Sequence, residues 1–261
     1  MSALASAGLF VTRDVLDEQH VYMLRKAVRM HGDWSSMVGI ETERQSYCVK
    51  SSKILLYSLS KVIRATHDQL KQHLTHVNMC ECINMICWPG EMGQSLHSDH
   101  YAPGDVMRWY TVGVCLTDID ECNGTFDYIP GSHQIYDNAT HEDIQMYYQQ
   151  ITSHGTERMI ESLGHSSIIT KLSLRAGDVF CYNSGLIHRG TPNISTDRYR
   201  DILFVTFGPS FQEWLEYANV HMPSIAHQIR YNCVMNGENK RSASLSDVDY
   251  DVLLNNDHQP T

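Results

Sequence analysis

Glycine and proline punctuate the middle of this chain, and that punctuation constrains the fold more than any other feature. Short apolar runs rich in β-compatible residues alternate there with turns. VNMCECINMICW (77–88) stops at Pro89-Gly90, and MRWYTVGVCLTDI (107–119) stops at an acidic turn. GTFDYIPGSH (124–133) runs into Pro130-Gly131. SIITKLSL (167–174) and DVFCYN (178–183) are separated by Arg175-Ala176-Gly177, and DILFVTFGPS (201–210) is the clearest strand. Runs of this length and residue type, bounded by turn formers, read as strands joined antiparallel. Two helical patterns precede them. After a short extended piece at 8–11, Thr12 or Asp14 can cap a helix with Leu16, Val21, Leu24 and Val28 on one stripe. A second amphipathic helix is expected over 55–74. The expected fold is mainly β with flanking helices: a double-sheet jelly-roll barrel buttressed on one outer face by the N-terminal helices.

The chain divides into one domain over 1–235 and a polar, acidic tail over 236–261, expected to be disordered. An insertion over 134–166 interrupts the strands and contains a helical stretch. It is either a lid at the barrel mouth or a surface excursion.

With 42% hydrophobic residues the chain can bury a sizeable core, and its formal net charge is -10. That charge argues against nucleic acid and against an anionic membrane as partners. No apolar run approaches the ~20 residues of a membrane span, and the first residues lack the basic head of a signal peptide. The eight cysteines are irregularly spaced without a CxxC pair, which suits free thiols in a reducing, intracellular, cytoplasmic setting.

Function turns on the stretch QSLHSDHYAPGD (94–105). His97 and Asp99 are two apart, so on an extended segment both side chains reach the same side and can share a cation. Two histidines and one carboxylate on one face of the ion is the common set for non-haem Fe(II). His188, in GLIHRGTPN, is the best distant third ligand, held in a loop between two strands. His100 would point away from a cation shared by its neighbours. Arg200 opens the last strand, where Arg200, Ile202, Phe204 and Thr206 face one way. If that face is inward, a guanidinium enters an apolar barrel and needs an anion. With no acidic residue beside it on that face, a dicarboxylate ligand is an attractive partner. A surface cluster of Arg200 with Asp201, or Arg198 with Asp197, is the alternative. His133 and Asp178 are read as turn-stabilising, and Asn193 as holding the His188 loop. Tyr101, Met107 and Trp109 either line a substrate pocket or pack in the core.

QSLHSD (94–99), NGTFDYIPGSH (123–133) and GDVFCYNSGLIHRGTPNISTDRYR (177–200) together resemble the phytanoyl-CoA dioxygenase-like family of Fe(II)/2-oxoglutarate oxygenases. The resemblance implies a double-stranded β-helix. It also implies His97, Asp99 and His188 as iron ligands, Arg200 as the partner of the distal carboxylate of 2-oxoglutarate, and Gln94 as a second cosubstrate contact. The pattern departs in two places. Relatives often carry the arginine eleven residues after the distal histidine, here Tyr199, which leaves Arg198 as a fallback. They also often carry a threonine where this chain has Phe126, with Thr125 beside it. The implied activity is hydroxylation of a small organic substrate using Fe(II), 2-oxoglutarate and O2. Two rival readings use the same residues: a barrel that binds without turnover, and a metal-dependent hydrolase. Neither the substrate nor the oligomeric state is legible.

Overall fold

The computed structural model describes residues 3–33, 43–49, 53–70, 72, 78–99, 109–136 and 168–208. The insertion beyond residue 136, the tail, and His100, Tyr101 and Met107 lie outside the described residues.

Among the described residues, nine strands form two sheets: β1 (Leu9–Thr12), β2 (Arg44–Cys48), β3 (Asn78–Cys87), β4 (Tyr110–Cys115), β5 (Phe126–Tyr128), β6 (Thr170–Leu172), β7 (Val179–Asn183), β8 (His188–Gly190) and β9 (Arg200–Gly208). The larger sheet runs β1-β7-β4-β9-β3-β2 and the smaller β6-β5-β8, with antiparallel pairing throughout. An isolated bridge between His97 and His188 adds one more pairing at the β8 edge. Two facing antiparallel sheets in this order are the expected double-stranded β-helix.

The larger sheet has two faces with different duties. A short helix α1 (Ala3–Ala7) precedes β1, and one face packs on the two longer helices, α2 (Glu18–Met30) and α3 (Lys53–Leu70). Leu24 and Val28 of α2, Leu55, Leu59 and Val62 of α3, and Val112, Val114, Leu203 and Val205 of the sheet share one buried cluster. The other face turns toward the smaller sheet, where Phe126, Phe180, Tyr182, Leu186 and Ile202 form a second cluster. Alternation along β3 and β9 allots these roles: Ile202 and Phe204 face the barrel interior while Leu203 and Val205 face the helices.

Three local expectations are corrected. Helix α2 starts later than a Thr12 or Asp14 cap would give. Thr12 closes β1, Asp14 takes φ 54, and Asp17 caps the helix by accepting the His20 backbone N–H at 2.9 Å. The His188 segment is a short strand, because both of its edges find partners: Tyr128 pairs with His188 on one side and His97 bridges it on the other. β2 was not expected; its RQSYC sequence is polar, and it exists as an edge strand paired to β3.

Asp178 organises its turn as expected. Its carboxylate accepts the backbone N–H groups of Arg175 at 2.8 Å and Asp14 at 2.9 Å, and Arg13 Nη1 at 2.6 Å. Burial alone would push this carboxyl up. Those hydrogen bonds outweigh burial and hold it below its ordinary value. Gly177 sits at φ +92, where a Cβ would run into the Leu16 carbonyl, so only glycine fits. Among the described residues, no helix is long and apolar enough to cross a membrane.

Candidate metal centre and cosubstrate pocket

His97 and His188 are 91 residues apart in sequence. They meet because they bridge directly. His97 N–H donates to His188 O at 2.9 Å, and His188 N–H donates to His97 O at 2.8 Å. Opposed residues of an antiparallel pair project to the same face, and here the imidazole centroids lie 4.6 Å apart. Asp99, two positions along, turns to the same side. Its Oδ1 is 3.8 Å from His97 Nε2 and 3.7 Å from His188 Nε2. The three groups offer ligand atoms all within 4.8 Å of one another.

Each imidazole is oriented from behind. His97 Nδ1 is 2.8 Å from Ser95 O, and His188 Nδ1 is 2.9 Å from Leu186 O. A carbonyl can only accept, so Nδ1 carries a proton in both rings, and Nε2 is the nitrogen turned toward the cluster. This is the arrangement that orients metal-ligating histidines. Phe126 stacks on His188 at 4.9 Å and 16°. Burial, opposed by the Asp99 charge, pushes the His188 imidazole down to about 4 and keeps it neutral. The Tyr182 phenol donates to Asp99 Oδ2 at 2.8 Å. Burial first, and then the charge on Asp99, holds that phenol well above its ordinary value, so it stays a donor. The donor set suits a divalent metal: two imidazoles and one carboxylate, each fixed by an outer hydrogen bond.

The cluster opens on a cavity of about 220 Å³ between the sheets. Arg200, Ile202, Phe204 and Thr206 all line it, so the face expected to turn inward does so. At one end Arg200 is 3% exposed. Its Nη1 donates to Thr191 O at 2.8 Å, and its Nη2 donates to Cys87 Sγ at 3.2 Å. Gln94 lines the same end. Its amide oxygen accepts the Gly190 N–H at 3.2 Å, which leaves its NH₂ as a donor. Thr125 also lines the cavity, with its hydroxyl donated to Asp127 Oδ1 at 2.6 Å.

Two expectations about the arginines change. The inward face of β9 carries no acid, but Glu91 reaches Arg200 from the loop after β3, with Oε2 3.5 Å from Nη2 and both side chains buried. The guanidinium therefore has a protein anion on one side, and a dicarboxylate is not needed to explain its burial. Neither surface cluster forms as proposed. Asp201 lies buried on the helix side, accepting from Asn84 Nδ2 at 3.0 Å, and Arg198 pairs with Asp120 at 2.8 Å at the surface.

Asn193 does tie its loop down, donating to Cys87 O at 3.1 Å and Arg198 O at 2.8 Å. His133 is fully buried beneath Gly8. Trp109 is buried with its ring against Gly208; the cavity wall is built instead by Ile83, Met85, Phe126, Ile202 and Phe204.

Tyr182, Glu81 and Glu91 were not singled out from the sequence. Tyr182 reads as an ordinary strand aromatic. Glu81 sits mid-strand in a run that otherwise looks like core. Burial pushes the Glu81 carboxyl up to about 7, with the Asp99 charge adding to the shift.

No curated protein matches the sequence. Among solved structures, the epimerase SnoN in complex with Fe3+, alpha ketoglutarate and nogalamycin RO superposes with a TM-score of 0.60 at 17% identity, over 80% of this chain and 81% of that one. HygX from Streptomyces hygroscopicus, solved with nickel and 2-oxoglutarate bound, gives 0.57 at 15% identity, over 80% and 85%. The carbocyclase SnoK from nogalamycin biosynthesis gives 0.56 at 16%, over 80% and 82%. At these identities the likeness is one of fold. The family model of phytanoyl-CoA dioxygenase (PhyH) matches residues 4–202, a span that includes the smaller sheet, the larger sheet up to Ile202 of β9, and every residue of the His97, Asp99, His188 cluster. The chain therefore belongs to the phytanoyl-CoA dioxygenase family of Fe(II)/2-oxoglutarate-dependent oxygenases.

Proposed function

We propose that this protein hydroxylates a small organic molecule, holding Fe(II) with His97, Asp99 and His188 and 2-oxoglutarate with Arg200 and Gln94. The observation that carries the reading is the metal cluster itself: two Nε2 atoms and one carboxylate converge at the wall of a cavity, each fixed from behind. Bound iron and 2-oxoglutarate would supply oxidising power, O2 delivering one atom to the succinate that forms as CO2 leaves and the other to a substrate C–H bond.

The chain's own residues set the geometry. Arg200 and Gln94 sit side by side at one end of the cavity and offer N–H donors matched to a carboxylate. Glu91, Thr191 and Cys87 hold the guanidinium from the far side, so it is oriented before any ligand arrives. Ile83, Met85, Phe126, Ile202 and Phe204 line the rest, excluding water and offering an apolar bed to a carbon skeleton. The described cysteines Cys48, Cys82, Cys87, Cys115, Cys122 and Cys181 are free thiols, which supports a reducing intracellular setting.

The test is turnover against a metabolite panel, read as succinate release. We expect release that needs both Fe(II) and 2-oxoglutarate and is lost in His188→Ala. A hydrolytic product formed without consumption of 2-oxoglutarate would favour a metal-dependent hydrolase. Iron and 2-oxoglutarate binding with no succinate from any condition would favour a binding barrel.

A further inference from the structure

Glu81 is a carboxylate in the wall of this cavity that the chemistry above does not use. It lies across β3 from Thr206 of β9, Thr206 pairs with Thr111 of β4, and Thr111 pairs with Tyr182 of β7. That row ends at the phenol bonded to Asp99, so Glu81 sits on the metal's side of the cavity. Arg200 pairs with Cys87, six residues further along β3, roughly 20 Å away at about 3.3 Å per residue. The cosubstrate end and the Glu81 end are therefore opposite ends, with the metal cluster opening between them.

The Glu81 carboxylate is only half satisfied. Thr206 Oγ1 donates to Oε2 at 3.3 Å, while Oε1 is buried with no hydrogen-bond partner among the described residues. Around it the wall is Ile83, Met85 and Phe204. Among the described residues lining the cavity, Arg200 is the only Lys or Arg, and it lies at the other end beside Glu91. A buried carboxylate oxygen without a donor is costly unless something brings one. A ligand entering the cavity is the group placed to do so.

We propose that Glu81 is the substrate-recognising group of this cavity, and that the substrate carries a protonated amine received by its carboxylate. An ammonium supplies the missing donor and neutralises the buried charge together, which a hydroxyl does only in half. The net charge of -10 favours the approach of a cation. The amine is held beyond the metal, so the carbon that reacts lies between it and the cosubstrate end.

This inference rests on the oxygenase reading, and its test separates the two. The full chain, loaded anaerobically with Fe(II) and 2-oxoglutarate, is titrated calorimetrically with three probes of similar shape: 2-phenylethylamine, 2-phenylethanol and 3-phenylpropanoate. We expect the amine to bind about ten-fold or more tighter than the alcohol, as a charge-assisted bond provides, and the acid to bind weakest. Glu81→Gln should erase that order, and Glu81→Asp should restore part of it. Both variants should keep the visible band of the Fe(II)–2-oxoglutarate chelate, since Glu81 touches neither metal nor cosubstrate. A wild-type protein that forms the band but shows no millimolar amine binding, prefers the alcohol, or has a preference that survives Glu81→Gln overturns the proposal alone. Absence of the band in wild type overturns the oxygenase reading beneath it.

Discussion

Tyr182 holds the carboxylate of the candidate metal cluster with one hydrogen bond, phenol to Asp99 Oδ2 at 2.8 Å. Removing only that hydroxyl should leave the ring's packing on Phe126 and His188 intact. We therefore expect Tyr182→Phe to fold normally and to weaken Fe(II) binding about 10- to 100-fold, measured by anaerobic metal titration. Gly190 makes a second prediction. A Cβ there would lie 2.9 Å from Arg200 Nη2 and 3.1 Å from Gln94 Oε1. Gly190→Ala should raise the KM for 2-oxoglutarate while leaving Fe(II) affinity near wild type; unchanged KM would remove Arg200 and Gln94 from cosubstrate binding. At this scale the sequence was partly legible. His97 and Asp99 stand out because their spacing is a metal spacing, and His188 because turns and strands flank it. Glu91 was not, because its contact with Arg200 crosses from a loop onto a strand, and sequence alternation speaks only of residues on one strand.

Elements were read best where one physical rule dominates. β9 alternates cleanly, so its inward face of Arg200, Ile202, Phe204 and Thr206 was correct residue by residue. The start of α2 was misplaced because Thr12, Asp14 and Asp17 are all good caps; tertiary pairing settled it by taking Thr12 into β1 and tying the Asp14 N–H to Asp178. β2 escaped notice because an edge strand with one neighbour carries little hydrophobic signal. The Asp178 turn yields a pH prediction. Its carboxyl is held below its ordinary value in the folded chain, so its contribution is complete above the ordinary carboxyl range, about pH 4, and fades as pH falls through the depressed folded value. Asp178→Asn should cost about 2 kcal/mol at neutral pH. Denaturant melts should show the gap to wild type closing below about pH 4; a gap constant with pH would mean the charge is not what stabilises the turn.

The whole molecule divides its labour across one sheet. The face against α2 and α3 is an apolar core whose buried residues include Leu24 and Leu59, and the opposite face carries the cavity. Leu24→Ala should cost about 2–5 kcal/mol of stability and leave 2-oxoglutarate affinity in the surviving folded protein unchanged, read by thermal melts alongside calorimetry. A loss of affinity in step with stability would show that the helices shape the site as well as support it. The barrel was legible as a whole because turn residues, strand lengths and the helix-then-strand order agree with one another. The described cavity wall was less so: its apolar residues come mainly from β3 and β9, distant in sequence and joined only by the fold, while Tyr101 and Met107 lie outside the described residues.

In the proposed site His97, Asp99 and His188 hold iron beside a cosubstrate gripped by Arg200. Anaerobic titration of the metal-free full chain with Fe(II) and then 2-oxoglutarate tests it most directly. Wild type should develop the visible charge-transfer band of the chelate. Asp99→Ala should fail to bind iron, His100→Ala should behave as wild type, and Arg200→Ala should bind iron yet need far more 2-oxoglutarate to form the band. No band in wild type at saturating ligand would rule out this iron and 2-oxoglutarate site, and equal losses in Asp99→Ala and His100→Ala would rule out Asp99 as the carboxylate ligand.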